Sequence, residues 1–165
     1  MVQNIASIAK IEYAFREHIA AIRINHATSI IEEIIPSPCG GSPEGDGGCG
    51  VGPGVGFLFL PFYFTPLSAD ITIVQKQSDA GTLYVCTVKA RVPKDRPDAT
   101  AFIRSSQDCW FLLKVTDANG TARLIGTPDF PAQFTARISV PASPSRYNGY
   151  DVAFASNQLT PPVYF

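Results

Sequence analysis

A succession of short runs rich in β-branched and aromatic residues constrains the fold most, because no helix of three turns separates them. Side chains of these two kinds favour strands. Six such runs follow residue 69, at 71–76, 82–92, 109–116, 121–127, 134–140 and 150–155. Strands joined by short turns fold into sandwiches or barrels. We therefore expect an all-β chain, a mostly antiparallel β-sandwich or small β-barrel with at most one short helix.

Polar turns separate these runs. Residues 78–81 and 117–120 both end in glycine, and Gly120 stands where a hairpin needs a left-handed backbone. Asp117 and Asn119 are interpreted as turn formers, not calcium ligands. Residues 99–107 leave room for a short helical turn. The run 109–116 is the most apolar and predicts a core strand.

The first third of the chain allows two interpretations. Residues 10–15, 21–25 and 29–35 are rich in isoleucine and predict three short strands. A short helix over residues 14–21 competes with them, because the apolar residues between Ile5 and Phe15 also fit a helical spacing.

Residues 36–64 differ sharply from the rest and are named the arm. Nine of the seventeen residues from Gly40 to Gly56 are glycine, and an apolar run follows at 57–64. Pro61 interrupts that run and cannot donate to a strand ladder. The run is either a subunit-contacting segment or a core strand with a bulge at Pro61. We expect a single β domain over 1–165, with the arm inserted and 156–165 as an extended C-terminal tail.

The charge content points to partners. Charged residues make up 16% of the chain, against about 25% in typical domains. Part of the surface is therefore expected to be covered by other subunits, with a well-packed monomer as the alternative. Thirteen basic and fourteen acidic residues give a net charge of −1. Without a basic stripe, specific nucleic-acid binding is not expected.

The N-terminal sequence does not predict a signal peptide. Charged residues at Lys10, Glu12, Arg16 and Glu17 interrupt any apolar run there. No stretch approaches the roughly 20 apolar residues that span a bilayer. We expect synthesis in a cytoplasm, no export by a standard secretory route and no membrane span.

Signals for catalysis and cofactors are weak. His18 and His26 lack the spacing of a metal site and are expected at the surface or in turns. The acidic pair at 32–33 fits a solvated strand end better than acid–base machinery. The glycines at 47–54 lack the lysine and hydroxyl residue of a phosphate-binding loop. We predict no enzyme activity, catalytic residues, metal, cofactor or small-molecule substrate.

The four cysteines divide into two pairs. Cys86 and Cys109 lie in apolar runs and are expected to be buried as small hydrophobic residues. Cys39 and Cys49 flank the glycine-rich part of the arm and are candidates for a disulfide. Cytosolic synthesis argues against that bond, and the absence of a nearby histidine argues against zinc.

Apolar residues gather at the end of the arm and at the C-terminus. Exposed segments of this kind are typical of interfaces. Trp110, the only tryptophan, lies in the most apolar run, so we assign it to the core and not to a carbohydrate-binding platform. The predicted subunit contacts are Phe57, Leu58, Phe59, Leu60, Phe62, Tyr63, Val163, Tyr164 and Phe165.

Four segments carry a resemblance to a known class of protein. They are residues 8–15, residues 78–84, the hairpin 117–120 leading into 123–127, and residues 148–154, followed by the short apolar-aromatic ending. In this order they resemble small β-rich virion structural proteins of the neck or tail of tailed phages and prophages of gut Bacteroidetes. The likeness covers most of the chain outside 36–60, and the glycine-rich insertion departs from it.

The resemblance implies a non-enzymatic virion protein. Such a protein assembles as a ring or tube of identical subunits beside other virion proteins, and the resemblance supplies no catalytic residues. The alternative is a carbohydrate- or surface-binding β-sandwich, such as a receptor-binding or decoration module. That alternative predicts exposed aromatic residues on one face of a sheet.

Overall fold

The computed structural model describes residues 7–37, 59–79, 81–93, 97–139 and 148–165. Predictions for Cys39, Cys49, Phe57 and Leu58 lie outside these residues. The described part confirms the all-β prediction, with one α-helix and one 3₁₀ turn at Arg16–His18. Its elements are β1 Ile8–Phe15, β2 Ile19–Asn25, β3 Ile30–Pro36, β4 Leu60–Phe62, β5 Asp70–Ser78, β6 Gly81–Pro93, α1 Pro97–Ser105, β7 Trp110–Asp117, β8 Ala122–Ile125, β9 Ala132–Ser139, β10 Gly149–Gln158 and β11 Val163–Tyr164.

The strands form a single sheet in the order β2-β3-β11-β8-β7-β9-β10-β6-β5, with β1 and β4 attached beside β7. Every strand pair is antiparallel except β3 with β11. Within the described residues β2 and β5 end the main path of the sheet and β4 ends its branch, so the sheet does not close into a barrel.

The sheet bends at β7. Strand β1 follows β7 over its whole length, whereas β8 pairs with the second half of β7 and β9 pairs with Trp110 and Phe111. The bend brings β4 opposite β10, where the rings of Phe62 and Phe154 lie 5.7 Å apart. Two layers therefore pack face to face: β5, β6, β10 and β9 against β4, β1, β7 and β8.

Gly126 makes the bend possible. It follows β8 with a φ of +86°, in the region that favours glycine. A Cβ atom there would lie 3.0 Å from the carbonyl oxygen of Phe111 and 3.1 Å from the amide nitrogen of Ala132. The chain can pass this close to β7 only without a side chain.

Strand β7 is buried on both faces. Phe111, Leu113 and Val115 belong to the core between the two layers, where Phe154 is also fully buried. Leu112 points the other way, into a second apolar cluster with Leu124 and other residues. The predicted core strand is therefore confirmed, and its nearly unbroken apolar run reflects burial on two sides.

The β2–β3 hairpin covers this second cluster with isoleucines, including the fully buried Ile19. The prediction of three N-terminal strands is confirmed, and of the competing helix only the 3₁₀ turn forms. The hairpin turn is stabilised by Asn25, whose Oδ1 accepts hydrogen bonds from the amides of Ala27 and Thr28 at 3.0 and 3.4 Å. The isoleucine-rich strand β2 therefore ends at the residue whose side chain stabilises the turn.

Two features position the candidate site: the turn at Asp117 and the end of strand β10. Oδ1 of Asp117 accepts the amides of Asn119 and Thr121 at 3.0 and 2.9 Å, which confirms the predicted turn before β8. Strand β10 extends through Gln158, so residues 156–158 belong to the sheet and the tail proper begins at residue 159. Its last residues form β11, which lies between β8 and β3.

Candidate interaction surface

The structure brings the end of the arm and the end of the tail together. The rings of Phe59 and Phe165 meet edge to face, with centroids 5.8 Å apart. The ammonium nitrogen of Lys114 lies 4.2 Å from the centre of the Phe165 ring. Residues 106 positions apart in the sequence therefore contact each other above β7, beside the second apolar cluster.

Backbone hydrogen bonds hold the tail in place. The amide of Tyr164 donates to the carbonyl of Ser29 at 2.8 Å, and the amide of Phe165 donates to that of Ala122 at 3.1 Å. The guanidinium of Arg123 lies 5.5 Å from the Tyr164 ring. Because Arg123 and Lys114 lie on opposite faces of the sheet, Tyr164 and Phe165 also point to opposite faces.

The predicted contact residues divide into two groups. Phe62 and Val163 are buried in the chain's own core, and Phe59 is partly buried against the second cluster. The remaining described residues of the prediction have substantial exposed fractions: Leu60 42%, Tyr63 62%, Tyr164 40% and Phe165 37%.

Strand β4 gives the arm's apolar run two roles. Among the described residues it pairs with β1 alone and without a register shift, so Pro61 lies in an edge strand, where a proline is tolerated. Phe62 points into the core while Leu60 and Tyr63 stay exposed. The apolar run is therefore both a core strand and an exposed segment, and the bulge considered at Pro61 is not formed.

Two exposed apolar patches result. The first, named the β4 patch, consists of Tyr63 and Leu67, whose exposed side chains line one cleft of about 380 Å³; the exposed Leu60 does not line it. Leu67 is 83% exposed, and the sequence prediction missed it because it lies in a turn.

The second patch, named the C-terminal patch, consists of Ile30 and Tyr164, which are cross-strand neighbours on β3 and β11. Ile30 is 45% exposed and was also missed, since its run predicts a strand without showing which face is covered. Strands β1, β7 and β8 separate this patch from the β4 patch.

The assignment of Trp110 to the core is wrong. Its side chain is 49% exposed because it occupies the first position of β7, where the strand emerges from the core. It borders a cleft of about 420 Å³ together with Gln107, Asp108 and Gln133. The polar residues that precede it in the sequence were the available signal of exposure.

The outer face of β5, β6, β10 and β9 is polar. A shallow cleft of about 490 Å³ is lined there by charged residues, among them Lys89 and Arg137. Nε of Arg91 donates to Oδ1 of Asp151 at 3.2 Å, and both side chains are about half exposed. This layer therefore turns an apolar face to the core and a charged face to solvent.

Burial shifts the pKa of two titratable side chains, Cys86 and Tyr13. Cys86 is fully buried, as predicted, and burial raises the pKa of its thiol to about 11, which makes it a poor nucleophile at neutral pH. Cys109 is only partly buried, and its Sγ donates to the carbonyl of Ser105 at 3.3 Å. Burial likewise raises the pKa of Tyr13.

The histidines lie at the surface or in turns, as predicted, whereas the acidic pair at 32–33 is solvent-exposed as predicted but lies in the middle of β3 and not at a strand end. His26 is exposed in the β2–β3 turn, and His18 lies in the 3₁₀ turn. The carboxylate of Glu33 pairs with Arg23 at 3.0 Å on the exposed hairpin. Among the described residues, no three His, Cys, Asp or Glu side chains group closely enough to hold a metal ion. In the same part of the chain, no helix is long and apolar enough to cross a membrane.

Comparison with protein-family models, with curated proteins and with solved structures finds no significant match to this chain.

Proposed function

We propose that this chain is a non-enzymatic structural subunit that assembles with copies of itself. The resemblance of residues 8–15, 78–84, 117–120 with 123–127, and 148–154 leads us to propose further that it is a neck or tail protein of a tailed-phage virion. The observation that carries the proposal is the presence of two separate exposed apolar patches, one beside β4 and one on β3 and β11. Exposed apolar clusters are typical of protein interfaces.

The positions of the two patches favour a head-to-tail contact. Tyr63 and Leu67 line an open cleft, whereas Tyr164 presents an aromatic ring beside Ile30. An aromatic side chain filling an apolar pocket is a common centre of an interface. A contact between two different patches is heterologous, and it closes into a ring or continues as a tube.

The test uses the full chain and measures its mass by light scattering after gel filtration. Tyr63→Ser removes the β4 patch and Tyr164→Ser removes the C-terminal patch, and each is expected to abolish the head-to-tail oligomer and lower the mass. Ile138→Ser is the matched control, because Ile138 is 51% exposed on β9 in the other layer. It should leave the oligomer unchanged.

Mixing the two variants distinguishes a head-to-tail contact from a symmetric one. Tyr63→Ser retains a C-terminal patch and Tyr164→Ser retains a β4 patch, so one interface can form between them and none can follow. Through the patch contacts alone, a mixture should therefore give dimers and nothing larger, whereas either variant alone should form no patch contact. Wild-type-sized oligomers from either single variant would refute the proposal.

A carbohydrate- or surface-binding module is the second candidate, and the exposure of Trp110 beside Gln107, Asp108 and Gln133 favours it. Indole faces with neighbouring polar groups suit sugar rings, which are apolar on one side and hydroxylated at the edge. Quenching of Trp110 fluorescence by oligosaccharides would support this candidate, provided that Trp110→Ala no longer binds them.

The gene neighbourhood distinguishes the two candidates. Neighbouring genes for portal, capsid and tape-measure proteins would favour the virion role, and a polysaccharide-degradation cluster would favour the binding module.

A further inference from the structure

Strand β5 is an unprotected sheet edge. Within the described residues, three strands pair with a single partner: β2, β4 and β5. Proteins usually protect such edges with short strands, prolines, bulges or charges, because a free edge pairs readily with another chain. Strand β4 has three residues, one of them Pro61, and β2 has two register shifts against β3. Those two edges are protected.

Strand β5 is neither short nor interrupted by a proline or a bulge, and its two charged residues, Asp70 and Lys76, leave its centre uncharged. It runs for nine residues without proline and pairs with β6 in an unbroken register from Asp70 to Ser78. Ile73 and Val74, near its centre, are 41% and 43% exposed although they point to opposite faces. The strand is therefore long, regular and apolar at its middle, which is the form of edge that accepts another strand.

The charges of β5 identify the strand that fits it. Asp70 and Lys76 are its two charged residues, and in the described part of the chain neither makes an ion pair. They are six positions apart, so Ile73 lies midway between them and both point to the same face. Asp70 also lies across from Lys89 of β6, whereas Lys76 lies across from the uncharged Leu83.

We propose that β5 pairs antiparallel with β5 of a second copy of this chain, with Ile73 on the two-fold axis. In this register Asp70 faces Lys76 of the partner subunit, and Lys76 faces Asp70 of the partner subunit. Cross-strand pairs of opposite charge stabilise a ladder, and like charges destabilise it. The two Ile73 side chains cover each other at the centre.

Other registers of the β5 pair, and pairing with another strand, place fewer opposite charges across from each other. A register centred on Val74 places Thr72 opposite Lys76, and one centred on Lys76 places two lysines together. Pairing with β2 of another copy offers Arg23 alone, which already pairs with Glu33. The two-fold pairing uses both charges of both strands.

This contact goes beyond the proposed head-to-tail assembly, because it uses a different strand and a different symmetry. A ring closed by heterologous contacts and joined by a two-fold contact becomes two rings back to back, with an even number of subunits. Disrupting β5 pairing alone should then halve the mass of the assembly.

The experiment measures the dimer dissociation constant by sedimentation equilibrium in the full-length Tyr63→Ser/Tyr164→Ser background. Both proposed patch contacts are removed there, so failure of this inference and failure of the proposed function are separate results. The parent should form dimers. Lys76→Asp or Asp70→Lys should each weaken dimerisation about tenfold, about 1.4 kcal/mol. The double variant with exchanged charges should restore it.

Asp79→Lys is the matched control. It makes the same charge change as Asp70→Lys at an exposed turn position just beyond β5, outside the paired residues 70–76, and should leave the dissociation constant unchanged. Circular dichroism of each variant checks that the fold is retained. A monomeric parent, an unaffected Lys76→Asp variant, or an exchanged double variant that stays weak would each overturn the inference.

Discussion

The contact between Phe59 and Phe165 makes the sharpest prediction about the arm and the tail. The two rings meet edge to face at 5.8 Å, and Lys114 covers the second ring at 4.2 Å. Replacing each phenylalanine by alanine, singly and together, forms a double-mutant cycle that isolates the pair. The cycle asks whether two segments distant in sequence stabilise each other.

The expected magnitudes follow from these contacts. An edge-to-face aromatic pair contributes about 0.5–1.5 kcal/mol beyond the area that it buries. A cation over an exposed ring adds about 0.5–1 kcal/mol. Phe165→Ala should therefore lower the free energy of unfolding by about 1–2.5 kcal/mol. The coupling energy of the cycle should be about 0.5–1.5 kcal/mol, because only the ring pair is shared.

Urea denaturation followed by circular dichroism gives the four free energies of unfolding. Each is measured at several protein concentrations, because a contribution from assembly would change with concentration. Phe130→Ala is the matched control, since Phe130 is 38% exposed, close to the 37% of Phe165, and contacts no other ring in the described residues. Its loss should be smaller than that of Phe165→Ala. A coupling energy near zero would show that the arm and the tail do not contact each other.

Three further predictions concern the fold. Gly126→Ala should lower the free energy of unfolding by at least about 1–2 kcal/mol, because a left-handed backbone disfavours a side chain and the new Cβ would approach the Phe111 carbonyl; an unchanged urea midpoint would contradict this. The thiol pKa of Cys86 is raised from 9.0 to about 11, so the unfolded chain loses this proton first and stability should fall as pH rises through this interval. Cys86→Ala should flatten that pH profile relative to wild type, and equal slopes would argue against the shift. Asp117→Ala should cost about 1–2 kcal/mol, mainly through the two lost turn hydrogen bonds besides the longer contact with Arg123. Asp117→Asn keeps an acceptor and should recover most of the loss in the same denaturation assay.

The strands and turns were predictable because their signals are local. Alternating β-branched residues and the Asp117–Gly120 turn act within a few positions, and the structure follows them. The single helix was anticipated in place if not in extent, since α1 begins at Pro97 and not at residue 99. Buried Cys86 was predictable for the same reason, because its neighbours along the strand are apolar.

The arrangement of the strands was not predictable, because pairing is decided between distant residues. Nothing near Phe59 in the sequence indicates that it meets Phe165, and the run around Phe62 and Tyr63 is apolar on both faces of the strand. Trp110 was misassigned because a uniformly apolar run does not show where its strand leaves the core. The sequence could therefore indicate which segments contribute to the candidate surface. It could not indicate which of their residues are exposed, or that these form two separate patches.

The mass of the full chain in solution, measured against its concentration, tests the central claim of self-assembly most directly. We expect a mass that is a discrete multiple of the 17.8 kDa subunit. Tyr63→Ser should reduce this mass, and Ile138→Ser should not. A monomer at every concentration up to about 1 mM would contradict this claim, because even a contact worth about 4 kcal/mol would then be half formed.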